Sequence, residues 1–270
     1  MVTIKEVLSN LSDKSIRHIV SLSGGKDSAA LAIYMKQKYS EIPVEYVFCD
    51  TGCELPETYE YLERIEAILG VKVHRVNALS LIGVREKSGR TPFDIWLKEM
   101  YGGFLPSPRT RWCTIKLKIE PFEAYVGNDQ AFSYIGIRAD ENRDGYIAKK
   151  PTVFSQRPNI LPVYPLKDDG LGLGDVIQIL QESGIALPEY YKWRSRSGCY
   201  FCFYQQIGEW QGLIETHPLL FEKAKKYEKY CNGKRYTWVQ GKSLEEIANL
   251  PKRYKIKTID DSEGCAICHL

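Results

Sequence analysis

Six consecutive residues, Ser23-Gly24-Gly25-Lys26-Asp27-Ser28, have the makings of an anion-binding turn. The glycines let backbone N–H groups approach an anion closely, Lys26 adds a point charge, and a helix opening in the turn would add its dipole. The glycine spacing is not that of the nucleoside-triphosphate loop G-x-x-x-x-G-K-[ST]. The plainer alternative is a tight strand-to-helix turn that binds nothing, and the complete motif in this setting argues against it. A second chemistry lies in eight cysteines: Cys49, Cys53, Cys113, Cys199, Cys202, Cys231, Cys265 and Cys268. Cys199 with Cys202, and Cys265 with Cys268, form C-x-x-C pairs, whose thiolates suit zinc or an iron–sulfur cluster.

The elements that must position these groups alternate along the first half. Apolar, β-branched runs at 16–23, 44–50, 71–77 and 131–140 predict strands, and a weaker one at 160–166 has prolines that suit a strand end or edge. Between them, 56–70 opens on proline, carries acids in its first turn and closes on glycine, the start and stop signals of a helix. Strands separated by helices predict an α/β fold with a doubly wound, mainly parallel sheet. The expected organisation is a nucleotide-binding domain over 1–184 and a helical, cysteine-bearing C-terminal region over 185–270 packed on it. Residues 83–112 are the least regular and predict a loop beside the site.

Composition narrows the class. The 270 residues are 44% hydrophobic and 26% charged, as in an ordinary globular protein. A net charge of +3 is too mild to argue for nucleic-acid binding by itself. No apolar run approaches the roughly 18 residues of a membrane span. The first residues lack the pattern of a signal peptide, so a cytoplasmic location is expected, with cysteines serving as thiols, metal ligands or catalytic groups.

S-G-G-K-D-S after a strand resembles the PP-loop of the adenine-nucleotide alpha-hydrolase-like superfamily. That superfamily includes ATP pyrophosphatases, tRNA thiolation enzymes and phosphoadenylyl-sulfate (PAPS) reductases. Further segments resemble the PAPS reductases: "DTGCELPET" from Asp50, "RWCTIKLKIEP" from Arg111, "GIRADENR" from Gly136, and a closing run from Leu161 to Cys202. The match covers about residues 17–202, and the stretch from Cys199 to Pro218 is similar to relatives linked to DNA sulfur modification, phages or mobile elements. One departure stands out: Trp112 occupies the place of the first of two adjacent cysteines in the iron–sulfur reductases.

The resemblance implies roles. Ser23, Gly24, Gly25, Lys26, Asp27 and Ser28 would hold the phosphates of ATP, adenylyl sulfate or PAPS, with Lys26 and Asp27 catalytic. Asp50, Thr51 and Gly52 would bind the nucleoside, though Thr51 and Glu57 also suit ordinary helix capping. Arg138 would pair with an oxyanion, more readily than Arg143. Cys113, Cys199 and Cys202 would hold a 4Fe-4S cluster, with the fourth ligand from Cys231, Cys265 or Cys268, or absent. Cys265 would attack the sulfate sulfur, leaving Cys268 for the cluster. Zinc held by Cys199, Cys202, Cys265 and Cys268 remains the alternative, and free thiols the plainest one. Cys49 and Cys53 read as packing residues.

Three functions follow as expectations. One is sulfur transfer or reduction with thiol and iron–sulfur participation, served by a thiol reductant or sulfur-donor protein. Another is an ATP pyrophosphatase that adenylates a nucleic acid or small molecule for sulfur insertion. The last is a non-catalytic nucleotide-binding subunit of a defence or mobile-element system. Mg2+ at the phosphates and a homodimer are compatible with each. The stretch "YYKWRSRSG" at 190–198 reads first as part of the nucleotide pocket and second as a nucleic-acid clamp. His217 and His269 read as structural.

Overall fold

The structure, a computed structural model, describes residues 2–83, 89–141, 155, 157–231 and 234–252. Five strands form its central sheet: β1 (Arg17–Leu22), β2 (Val44–Cys49), β3 (His74–Val76), β4 (Ala131–Tyr134) and β5 (Ile160–Val163). They lie in the order β3-β2-β1-β4-β5, and every pairing is parallel. In register, Val20 of β1 stands between Tyr46 of β2 and Tyr134 of β4.

Side-chain alternation divides the sheet between two cores. Val20, Leu22 and Phe48 face one core with Ala29, Leu31 and Ile33, whereas Ile19, Val47 and Cys49 face the other with Phe122 and Val126. Both faces are covered, so the strands are apolar almost continuously, as parallel strands must be. The architecture is α/β and doubly wound, as the alternation of strand and helix signals implies.

Helix α1 (Ile4–Ser9) precedes β1, α2 (Lys26–Lys38) follows it, and α3 (Pro56–Leu69) follows β2. Helix α2 is buried over most of its circumference, from Ala29 to Ile33 and again at Met35. Helix α3 opens with Pro56 and ends at Gly70, which takes the left-handed cap at φ 66°.

A third core is aromatic and draws on distant segments. It joins Cys53, Leu55, Phe93, Trp96 and Trp112 to Tyr190, Phe201, Trp210, Tyr227 and Trp238. Part of the irregular stretch 83–112 is therefore structured by packing, with a helical turn at Pro92–Ile95 running into a π-turn at Trp96–Met100. The C-terminal region is not purely helical. It contains an antiparallel hairpin of β6 (Lys229–Cys231) and β7 (Lys234–Tyr236). The intervening sequence is Asn-Gly, the pair that two-residue hairpins favour.

Strand order reverses direction at β1, whose neighbours β2 and β4 are reached from opposite sides. In open parallel sheets the crevice beyond the strand C-termini at such a point is where ligands bind. The Ser23–Ser28 turn leaves β1 there, Asp50 leaves β2, and Gly136 to Arg138 leave β4.

Candidate functional site

The turn is shaped by its own backbone. Gly24 has φ 73°, and a Cβ on it would come 2.4 Å from Thr58 Cγ2. Both facts require glycine. Ser28, buried, folds its hydroxyl back: Oγ accepts from Ser23 N at 3.1 Å and donates to the Gly25 carbonyl at 3.1 Å. Lys26 opens α2 and is almost wholly buried. Its ammonium meets Asp27 Oδ2 at 3.0 Å, and Asp27 Oδ1 meets Arg138 Nη1 at 2.7 Å. The buried Arg138 guanidinium also reaches Asp140 at 2.8 Å and Glu141 at 3.5 Å. The structure thus brings Arg138 to the turn with its charge shared among three carboxylates. Gly136 allows that approach, because a Cβ there would lie 3.0 Å from the Asp27 carbonyl oxygen.

Asp50 stands at the end of β2, where Oδ1 accepts from Gly52 N and from the Tyr59 hydroxyl, each at 2.8 Å. Gly52 has φ 69°, and a Cβ on it would meet Pro92 Cδ at 2.9 Å. Thr51 is buried. Its hydroxyl contacts Glu54 at 2.8 Å and lies 3.4 Å from Cys199 Sγ.

Thr51 therefore leads from the phosphate turn to the cysteines. One cavity of about 50 Å³ is lined by Ser23 and Thr51 and by Cys113, Cys199 and Cys202. Three of the four expected ligands line it, although they span 90 residues of sequence. Among the described residues, no three His, Cys, Asp or Glu side chains converge tightly enough to hold a single metal ion. All three cysteines are half-buried. Burial, with Cys202 adding to it, pushes Cys113 up to about 11, and burial followed by the Glu54 carboxylate pushes Cys199 higher still. Cys265, Cys268, His269 and Arg143 lie outside the described residues, as does the side chain of Cys231.

The Cys199–Cys202 turn is held by what lies inside it. Phe201 packs on Phe93, centroids 4.2 Å apart, and on Trp238 at 4.9 Å. Tyr200 N donates to the Cys53 carbonyl at 2.9 Å. The buried guanidinium of Arg194 donates to the Gly198 carbonyl at 3.1 Å and the Cys199 carbonyl at 2.9 Å. Trp112 belongs to the same packing. It stacks on Tyr101 at 4.4 Å and Phe93 at 5.3 Å, and its indole N–H donates to the Phe104 carbonyl at 3.1 Å. Where the iron–sulfur reductases have a cysteine, this chain fills its aromatic core. Cys49 and Cys53 are buried in two different cores.

Two residues of the site lie outside the set that the sequence singled out. Glu54 is buried, accepts from Thr51 and from Cys53 N at 3.2 Å, and lies 3.8 Å from Cys199 Sγ. Burial, followed by the neighbouring Asp50, pushes its carboxyl up, against the pull of Lys118. Lys118 lines the cavity. The sequence does hint at it: Pro121 follows Cys113 by eight positions, one more than in C-x-x-x-K-x-x-P. The structure places a π-turn at Ile115–Ile119. Such a turn accommodates one added residue within a helix. His217, read as structural, pairs with Glu57 of α3 at 2.7 Å.

With this geometry in view, known proteins offer a comparison. A family model for the phosphoadenosine phosphosulfate reductase domain matches residues 17–212. The chain belongs to that family. Relatives of this PAPS-reductase domain include an uncharacterized protein of Methanocaldococcus jannaschii, 29% identical over 213 residues, 76% of this chain and 40% of that protein. Another is an uncharacterized nin region protein of Escherichia phage lambda, 33% identical over 143 residues, 46% of this chain and 49% of that one. The chain thus spans half or less of the length of these two relatives. A solved PAPS reductase from Candida auris, a phosphate complex, superposes with a TM-score of 0.47 at 16% identity, covering 71% of this chain and 84% of that one. Among the described residues, no helix is long and apolar enough to cross a membrane.

Proposed function

We propose that the chain binds an adenine nucleotide (adenylyl sulfate, PAPS or ATP) and carries out sulfur transfer or reduction with its thiols. One observation carries the reading: the cavity that Ser23 and Thr51 line is the cavity that Cys113, Cys199 and Cys202 line. The phosphates sit on the Ser23–Ser28 turn, with Gly24, Gly25 and Lys26 supplying backbone N–H groups. Asp27 orients Lys26, and Arg138 fixes Asp27. Asp50 and Gly52 receive the nucleoside at the β2 end, and Thr51 supports them from beneath.

Cys113, Cys199 and Cys202, which line one cavity, would be the thiolate donors to a 4Fe-4S cluster. Such a cluster, when bound, supplies electrons or an iron that can hold sulfide. In the reductive version Cys265 acts as nucleophile. Its thiolate forms an S–S bond to the sulfate sulfur as the S–O bond to the 5′-phosphate breaks, and the nucleotide (AMP from adenylyl sulfate, adenosine 3′,5′-bisphosphate from PAPS) leaves with the electron pair. A thiol reductant then attacks the Cys265 sulfur, forming a disulfide and releasing sulfite.

The test is a nucleotide panel on anaerobically purified protein, with iron and zinc counted and products identified. Binding of adenylyl sulfate or PAPS with sulfite released supports the reductive version. Pyrophosphate from ATP alone replaces it with adenylation for sulfur insertion. Absence of nucleotide binding overturns both.

A further inference from the structure

The stretch that runs into the cysteine turn also closes over the phosphate turn. The Tyr190 hydroxyl donates to the Gly24 carbonyl at 2.6 Å, and the Tyr191 hydroxyl accepts the backbone N–H of Lys26 at 3.2 Å. That N–H is the first of α2, a 13-residue helix, and points out of its positive end. The Lys26 ammonium lies 5.6 Å from the centroid of the Tyr191 ring. Tyr191 therefore places an oxygen against the same amide, beside the same cation, that the nucleotide reading gives to a phosphate.

Space gives an independent argument. A Cβ built on Gly25 would come 2.7 Å from Ser197 Oγ and 3.3 Å from the Tyr191 hydroxyl. Ser197 and Tyr191 therefore stand close over Gly25, beside the Lys26 amide that the nucleotide reading gives to a phosphate. A phosphate drawn to the Lys26 amide must move the Tyr191 hydroxyl that holds it.

We propose that Tyr191 is a phosphate surrogate: its hydroxyl occupies the Lys26 amide until an adenine nucleotide's phosphate displaces it, lifting the segment that carries Tyr190 and Ser197. This rests on the nucleotide reading above and adds to it how the site opens. It also gives the nucleotide a route to the thiols. Trp193 N and Arg194 N donate to the Tyr190 carbonyl at 3.1 and 2.8 Å, and the Arg194 side chain holds the carbonyls of Gly198 and Cys199. A shift at Tyr191 is thus passed along one short, hydrogen-bonded segment to the Cys199 turn.

The test titrates ATP, adenylyl sulfate and PAPS into the full chain and into Tyr191→Phe by calorimetry, with melting curves to confirm folding. Loss of the competing hydroxyl should tighten the bound nucleotide about two- to tenfold, the range of one net hydrogen bond. In parallel, hydrogen exchange on the unaltered protein should quicken at the amides of Trp193 and Arg194 when nucleotide is added. Equal or weaker binding by Tyr191→Phe, or slowed exchange across 190–194, overturns the surrogate and leaves the nucleotide reading standing. No binding by either protein overturns the nucleotide reading itself.

Discussion

The turn at Ser23–Ser28 meets the turn at Cys199–Cys202 at one cavity, through Ser23, but different physics builds them. The first is local. Its shape follows from Gly24 in the left-handed region, a serine that folds back within the turn, and a helix that starts where the turn ends. The second is made by distant packing. Phe201, between the two cysteines, rests on Phe93 and Trp238, and Arg194 holds the carbonyls around Cys199. The first turn should be sensitive to a single methyl group on its backbone. The second should be sensitive to lost aromatic volume far from the thiols.

Truncating Trp112 makes the largest break. Trp112→Ala removes a buried ring stacked on Tyr101 and Phe93, and should lower unfolding stability by about 3–5 kcal/mol in a urea titration. A loss under ~1 kcal/mol would show that the aromatic core does not organise this half of the site. Gly24→Ala comes next. Strain at φ 73° and the clash with Thr58 should cost about 1–3 kcal/mol and abolish nucleotide binding. Gly174, with open space around it in the helix Leu173–Glu182, is the control: Gly174→Ala should be neutral or stabilising, by up to ~1 kcal/mol.

Cys113→Ser separates the halves chemically. Iron per chain should fall sharply while nucleotide affinity changes by less than about twofold, since no nucleotide-binding hydrogen bond is lost. A parallel collapse of both would mean that Cys113 supports the turn itself.

The smallest effect concerns pH. Burial holds His18, whose ring nitrogen is 2.8 Å from the Tyr134 hydroxyl, below its ordinary value of 6.5. The unfolded chain then takes up the proton first, so stability is fully present above pH 6.5 and is lost as pH falls below it. His18→Gln should flatten that part of a plot of melting temperature against pH.

Much of the first turn was legible because its signals are contiguous. Six residues after an apolar strand give the motif, and the caps of α3 give the helix after Asp50. The cysteine side was legible only in part. The thiols declare themselves by spacing, and Trp112 by standing where a cysteine was expected, but nothing local says that Trp112 stacks on Tyr101. Glu54 reads as an ordinary residue inside a motif until folding buries it beside Cys199, 145 residues away. Likewise β6 and β7 flank an Asn-Gly pair that is outweighed by the lysine-rich, helix-like composition around it.

The central claim is that a nucleotide on the phosphate turn binds next to the thiols, across the cavity that Ser23 and the cysteines line. It is tested most directly by the visible absorption spectrum of anaerobically purified, iron-loaded protein during titration with whichever nucleotide binds. The spectrum should change and saturate with the binding curve, and Lys26→Ala should move both to higher concentration together. A spectrum that stays fixed at saturating nucleotide would contradict the account.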